Sequence, residues 1–149
     1  MTLRSNRLET KLDLPNLIAW CETHAVRLCV LFGSQAKGLA HPHSDVDLAV
    51  WPAKATAPDY LPWLRELETR LGREINLVIV SADLDPVLGM EIVRHGQLLY
   101  EREPEAWNHH RLQLWHAYND SLPFRRRARQ SLREFAEEVR ARLDDEDAL

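Results

Sequence analysis

A glycine–serine pair and two aspartates are the residues of this sequence best suited to chemistry. Gly33 and Ser34 end the apolar run Leu28–Phe32, and Asp45 and Asp47 stand at the start of the next apolar run. Glycine lets the backbone approach a ligand closely, and a serine hydroxyl beside the backbone N–H groups of a helix start offers a site for an anion. We therefore predict that Gly33 and Ser34 bind the phosphates of a nucleotide.

The spacing of the two aspartates predicts a magnesium site. Alternation along a strand places the carboxylates of Asp45 and Asp47 on the same face. Two like charges held this close are costly unless a cation neutralises them, and Asp47 lies inside an apolar strand pattern. Carboxylate oxygens beside a phosphate are the ligands that Mg²⁺ prefers. We predict that both aspartates bind the metal of a magnesium–nucleoside triphosphate and are the catalytic residues.

The segment between these two motifs carries further polar side chains. Lys37 is either a third phosphate contact or a solvated loop residue, and the sequence leaves both interpretations open. His41 and His43 flank Pro42 and lack a third partner at a spacing suited to a metal. We interpret these histidines as part of a solvated loop.

The pattern around the motifs predicts an α/β layer that would position them. A first helix begins at Pro15, and Asp59 and Gly72 bracket a second. Strands and a third helix follow from alternation, apolar runs and turn residues: strands over 27–32, 46–51 and 74–80, a helix from Asp85 to Gly96, and a short edge strand over 98–100.

We expect the chain to divide into an α/β core and a helical tail. We assign residues 1–103 to the core, with 1–13 as a loose arm, and 104–149 to a helical extension that packs on the core or on a partner. Within the extension, Pro123 is expected to interrupt one helical face, and the acidic residues 144–147 are expected to fray. Trp107 and Trp115 are assigned to the core, with a role as partner anchors as the alternative.

The tail also contains a basic segment. Between residues 124 and 142 the sequence has seven arginines against three glutamates. This segment is either a solvated helix with pairs such as Arg133–Glu137 or an interface for an acidic partner, and both interpretations stay open. We expect no direct binding of nucleic acid, because aromatic residues are not interleaved with the arginines.

The composition is that of a globular domain outside the membrane. The 149 residues carry a net charge of −4 and are 45% hydrophobic and 28% charged. No apolar stretch is long enough to span a bilayer, and no apolar region follows the N-terminus, so we expect a cytoplasmic protein. Cys21 and Cys29 form no predicted disulfide or zinc site, and Cys29 is expected to be buried.

The motif Gly33-Ser34, ten intervening residues and Asp45-Val46-Asp47 resembles the signature of the polymerase-β-type nucleotidyltransferase superfamily. The short chain and the segment 91–101 are similar, more narrowly, to the minimal nucleotidyltransferase (MNT) antitoxins. The resemblance implies a polymerase-β-like α/β fold with a four- or five-stranded mixed sheet, and the motif on its first two strands. It also implies ATP as donor and Mg²⁺ as metal. The implied reaction transfers AMP to a hydroxyl, a tyrosine, of a HEPN toxin RNase, with which the chain forms a hetero-oligomer.

One position departs from the pattern that the resemblance implies. The family carries a third carboxylate on the next strand, and the matching residue here is Asn76. Asparagine keeps one carbonyl acceptor but has no charge and takes no proton, so catalysis is attenuated more than nucleotide binding. Glu74, on the same strand face, is the candidate substitute, and Asp83 and Asp85 are the candidates if Asn76 is misaligned.

Three functions therefore stand as alternatives. The first is an antitoxin enzyme that adenylylates its toxin. The second is a catalytically eroded module that neutralises the toxin by contact. The third is a small-molecule nucleotidyltransferase, which is disfavoured because only about 45 residues follow Tyr100 to hold a second substrate.

Overall fold

A mixed α/β fold is formed by the part of the chain that the structure describes. The structure is a computed structural model and describes residues 12–33 and 45–148. Over these residues the elements are, in order, α1 (Leu14–Thr23), β1 (Val26–Phe32), β2 (Val46–Pro52), α2 (Tyr60–Leu71), β3 (Ile75–Ile79), α3 (Pro86–His95), β4 (Gln97–Glu101), α4 (Ala106–Asp120) and α5 (Leu122–Asp147). The predicted α/β class is confirmed.

The four strands lie in one sheet in the order β3-β2-β1-β4. Strand β1 is antiparallel to both β2 and β4, whereas β3 is parallel to β2 and is reached through the crossover helix α2. The predicted edge strand is β4, and it pairs with β1. The mixed sheet places β2, which carries the two aspartates, between β1 and β3.

Each face of the sheet covers its own hydrophobic core. Val46, Leu48 and Val50 of β2 pack with α1 and α2 on one face. Ala49 and Trp51 of the same strand pack on the other face, with α3 and α4. Because strand residues alternate, Asp47 belongs to the second face. The alternation predicted for β2 therefore decides which helices border the aspartates.

Capping residues set the helix boundaries close to their predicted positions. The Asp13 carboxylate accepts a hydrogen bond from the Asn16 backbone at 3.2 Å, at the start of α1. Asp85 caps α3 in the same way, through the Val87 N–H at 2.9 Å. Gly72 ends α2 in a left-handed conformation with φ of 63°, as the C-cap pattern predicts.

The structure corrects several expectations about the two ends of the chain. Leu12 is buried and Asp13 caps α1, so these two residues belong to the folded core and not to a loose arm. The helix break falls at Ser121; Pro123 lies in the first turn of α5, where its missing N–H costs nothing. Helix α5 continues through the acidic residues to Asp147. Trp115 is 48% exposed, and its assignment to the core was wrong.

Arg102, which directly follows the edge strand β4, links this strand to β1 and α1 by hydrogen bonds. Its guanidinium donates hydrogen bonds to the backbone carbonyls of Val26 at 2.9 Å and of Cys21 at 3.2 Å. The carbonyls at the end of α1 carry the negative end of the helix dipole, which favours this cation.

Cys21 and Cys29 are both buried free thiols. In the described residues, no helix is long and apolar enough to cross a membrane.

Candidate active site

Of the predicted site residues that the structure describes, Gly33, Asp47 and Asn76 meet at one end of the three strands β1, β2 and β3. In the register of the sheet, Phe32 of β1 lies opposite Asp47 of β2, and Asp47 lies opposite Asn76 of β3. Gly33 follows Phe32 directly. The pairing of neighbouring strands, and not proximity in sequence, therefore brings Gly33, Asp47 and Asn76 together.

Gly33 is fitted closely to the Asp47 carboxylate. Its φ of 72° lies in the left-handed region, which residues with a Cβ rarely adopt. A Cβ built on Gly33 would overlap Oδ2 of Asp47, so the carboxylate fills the space that a side chain would need. The site requires glycine here for two independent reasons, the backbone conformation and the contact with Asp47.

Asn76 binds the other oxygen of the same carboxylate. Its Nδ2 donates a hydrogen bond to Oδ1 of Asp47 at 2.8 Å. A carboxylate oxygen only accepts hydrogen bonds, so the amide nitrogen must face Asp47 and the amide oxygen must point away. The amide dipole thus stabilises the negative charge of the Asp47 carboxylate.

Asp45 and Glu74 directly precede β2 and β3, two residues before Asp47 and Asn76 respectively. The backbone N–H of Val46 donates to the carbonyl of Glu74 at 3.1 Å, which continues the parallel pairing of β2 and β3 to this point. Both Asp45 and Glu74 are exposed. By strand alternation, Asp45 shares a face with Asp47, and Glu74 shares one with Asn76. Two carboxylates, one from each strand, are therefore available to solvent and to a ligand.

The fallback candidates Asp83 and Asp85 have other surroundings. The carboxylate of Asp85 caps helix α3 through Val87, and the backbone of Asp83 donates to the Ser81 hydroxyl at 3.3 Å. Neither belongs to the face formed by Asp47 and Asn76 in the sheet register. The direct pairing of Asp47 with Asn76 supports Asn76 as the third position.

The donor set fits one Mg²⁺ ion that is bound together with phosphate oxygens. Such an ion commonly takes one or two carboxylates and completes its shell with substrate phosphates and water. Asp45 and Asp47 provide two carboxylates, whereas Asn76 provides at most an amide oxygen. Among the described residues, no group of three or more His, Cys, Asp or Glu side chains is gathered to hold a metal without such help.

The remaining predicted site residues fall outside the described part of the chain. These are Ser34 and Lys37, which were assigned to the phosphates, and His41 and His43, which were assigned to a solvated loop. Of the predicted site residues that are described, the sheet brings Gly33, Asp47 and Asn76 into contact.

An aromatic cluster lies on the same sheet face as Asp47, towards the other end of β2. The rings of Trp51 and Trp107 meet edge to face at 6.1 Å, and His110 lies 5.9 Å from Trp51. Burial lowers the pKa of His110, and the nearby charges of His109 and Arg27 lower this pKa further. The tail histidines His109, His110 and His116 show no ligand spacing in the sequence, and the structure finds His110 partly buried, within the expected range of surface or partly buried.

The fold and the arrangement of Gly33, Asp45 and Asp47 define a nucleotidyltransferase-type α/β domain. Residues 15–105 match the family model described as polymerase beta, nucleotidyltransferase. The match spans more than half of the chain, which therefore belongs to this polymerase-β nucleotidyltransferase family. The last residue of the match, Glu105, directly precedes α4.

Solved structures with the same fold come from toxin–antitoxin complexes. A chain of a toxin–antitoxin structure with AMP-PNP is 22% identical, with a TM-score of 0.70, over 81% of this chain and 98% of that chain. A chain of a tri-AMPylated Shewanella oneidensis HEPN toxin in complex with MNT antitoxin is 18% identical, with a TM-score of 0.65, over 80% and 95%. A chain of the toxin–antitoxin MntA–HepT is 19% identical, with a TM-score of 0.64, over 80% and 96%. A comparison with curated proteins found no match.

Proposed function

We propose that this chain binds magnesium–ATP and transfers AMP to a hydroxyl group of a HEPN-type toxin, with which it forms a hetero-oligomer. The observation that carries the proposal is the fit between Gly33 and the Asp47 carboxylate at the ends of β1 and β2. Family membership supports nucleotidyl transfer in general. The toxin as acceptor is supported by the likeness to a chain from a complex that contains a tri-AMPylated HEPN toxin.

In this proposal the chain positions the donor in three ways. The backbone at Gly33, which carries no Cβ, binds the triphosphate together with Ser34 and Lys37. Asp45 and Asp47 hold Mg²⁺, which when bound neutralises charge on the phosphates and on the leaving pyrophosphate. Asn76 fixes the orientation of the Asp47 carboxylate through its hydrogen bond at 2.8 Å.

The transfer step requires that the acceptor hydroxyl lose a proton. The acceptor oxygen forms a bond to the α-phosphorus, the bond from that phosphorus to the β-phosphate bridging oxygen breaks, and pyrophosphate leaves with the electron pair. Asn76 cannot take the proton, because an amide is not a base at neutral pH. Glu74 is exposed and lies at the start of the same strand, so it is the candidate substitute for this role.

The hydrogen bond between Asn76 and Asp47 also favours a second candidate function. An amide that satisfies Asp47 stabilises this carboxylate without a metal, as expected for a site that no longer turns over. In that case the chain would neutralise its toxin by contact alone.

A transfer assay separates the two candidates. The chain is mixed with its HEPN-type partner, Mg²⁺ and ATP labelled at the α-phosphate, and label on the partner is measured with time. We expect label on the partner from the wild type and none from Asp45→Ala/Asp47→Ala. A stable complex that stays unlabelled would contradict the enzyme and support the contact module. Labelling by the double variant would contradict the assignment of the site.

A further inference from the structure

Helix α5 carries an apolar stripe on its surface. None of its residues, Leu122–Asp147, is buried. Its large apolar side chains are between 39% and 69% exposed; they are Phe124, Leu132, Phe135, Val139 and Leu143. Exposed apolar area of this extent on one element marks an interaction surface.

The spacing of these side chains keeps them in line. With Ala128 included, successive members are four, four, three, four and four residues apart, so the pattern repeats after eleven residues. An eleven-residue repeat nearly matches the pitch of an α-helix, and the stripe therefore runs almost straight along one face. At 1.5 Å per residue, the stripe from Phe124 to Leu143 offers a contact line of about 28 Å along the 26-residue helix.

Arginines border one edge of this stripe. Arg129, Arg133 and Arg140 follow each other on the same side of the helix, at spacings of four and seven residues. Arg125, by contrast, is engaged within the chain, since it donates to the Tyr118 carbonyl at 2.9 Å and lies 3.8 Å over the Tyr118 ring. The basic edge is thus formed by the three later arginines together with Arg126, which lies seven residues before Arg133 on the same side.

The charges of α5 disfavour a second copy of this chain as the occupant. Residues 124–133 contain five arginines and no carboxylate, and residues 134–147 contain seven carboxylates and two arginines. A parallel pair would place like-charged halves together. An antiparallel pair centred on the stripe would bring Arg129 near Arg140, and Arg133 near its own copy. Either arrangement places like charges in contact.

The same charges disfavour a membrane surface. An amphipathic helix that lies on anionic lipid carries basic residues along its whole polar face. Here the second half of α5 is strongly acidic, and it would be repelled by such lipid. A protein partner can match the basic edge locally and leave the acidic end in solvent.

We infer that the α5 stripe is the docking surface for a helix of the partner protein, one whose own apolar stripe is bordered by Asp and Glu side chains. The identity of this partner as a HEPN-type toxin rests on the proposed function. Helix α5 lies beyond residue 105, the last residue matched by the family model, so the surface is a feature of this chain's extension.

Single substitutions with matched controls test this inference. Phe135→Glu introduces charge into the stripe, and Leu61→Glu does the same at an exposed position of α2 that is 56% accessible. Arg133→Glu reverses the basic edge, and Arg127→Glu makes the same change about 120° around the helix from Arg133, away from that edge. Each full-length variant is titrated with the HEPN-type partner by calorimetry, and circular dichroism reports whether it folds.

We expect Phe135→Glu and Arg133→Glu each to weaken the complex by at least about tenfold, and both controls to bind like the wild type. Unchanged affinity for the two stripe variants would overturn the inference while leaving the proposed function intact. A wild type that binds Mg²⁺–ATP but not the HEPN-type partner would overturn both the partner and its docking surface. Self-association or binding to vesicles of phosphatidylserine, if lost in Phe135→Glu, would assign the stripe to a second copy or to a membrane instead.

Discussion

At the scale of single residues, the site depends on how Gly33 and Asn76 surround the two oxygens of the Asp47 carboxylate. Gly33 leaves room for one oxygen, and Asn76 donates a hydrogen bond to the other. The closeness of Gly33 and Asp47 could be predicted from the sequence, because two strands joined by one turn have few ways to place these residues. The orientation of the Asn76 amide could not, because it follows from the register of β2 against β3.

Substitution of Gly33 tests the close approach at this site. Gly33→Ala should lower affinity for Mg²⁺–ATP by at least about tenfold, since the new Cβ displaces the Asp47 carboxylate, and should cost about 1–2 kcal/mol of stability. Gly72→Ala is the matched control, because Gly72 also has a positive φ but no neighbour within 4 Å of the added Cβ. Calorimetric titration and urea unfolding measure the two effects. Loss of binding in Gly72→Ala, or full binding in Gly33→Ala, would contradict the assignment.

The Asn76 substitution tests why turnover is expected to be slow. Asn76→Asp removes the hydrogen bond to Asp47 and adds a like charge, so the metal-free chain should become less stable and gain more stability from Mg²⁺ than the wild type does. Transfer of AMP should rise at least about tenfold, since a missing general base typically costs ~10²–10⁴-fold. Thermal unfolding with and without Mg²⁺ and the labelled-ATP assay measure these two quantities.

Glu74→Gln tests the alternative, in which Glu74 is the general base. If Glu74 takes the acceptor proton, this substitution should abolish transfer while leaving nucleotide affinity unchanged. In that case Asn76→Asp should change the rate little. Full activity in Glu74→Gln together with an unchanged rate in Asn76→Asp would contradict both assignments of the base.

At the scale of elements, most boundaries could be predicted from local chemistry. The capping aspartate at 85 and the left-handed glycine at 72 lie where short-range patterns place them, whereas the cap at Asp13 was not predicted. The misjudged elements are those whose limits depend on individual side-chain contacts outside the periodic pattern. Leu12 is buried by the first core, and the break between α4 and α5 is secured by Arg125 against Tyr118 and Ser121. Neither contact leaves a periodic signal in the sequence.

The packing of α4 on the sheet predicts a pH dependence of stability. Burial holds the pKa of His110 below its ordinary value, so between the two values the unfolded chain binds a proton that the folded chain does not. The contribution of this group is therefore present above about pH 6.5 and is lost as the pH falls towards the folded pKa. Urea unfolding at about pH 7.5 and 5.5 should show a larger loss for the wild type than for His110→Gln.

His116→Gln is the control for this measurement, because His116 is exposed on the same helix. Its pH dependence should match that of the wild type. If His110→Gln loses as much stability on acidification as the wild type, then the burial of His110 does not contribute to the pH dependence.

At the scale of the whole molecule, the family match covers the sheet with its first three helices and leaves out α4 and α5. The family match ends at residue 105, and α4 joins the second core through Trp107, whereas α5 buries none of its residues. The sequence left open whether the arginine-rich tail is a solvated helix or an interface, because both have the same periodicity. The exposed stripe beside the arginines is visible only once the packing of every other element is known.

Nucleotide binding at the ends of β1 and β2 is the central claim, and calorimetry tests it most directly. AMP-PNP with Mg²⁺ is titrated into the wild type, into Asp45→Ala/Asp47→Ala, and into Asp144→Ala/Asp145→Ala, which removes the same charge from α5. We predict Mg²⁺-dependent binding by the wild type and the α5 variant, and affinity at least about tenfold weaker in Asp45→Ala/Asp47→Ala. Equal affinity in all three proteins would contradict the site.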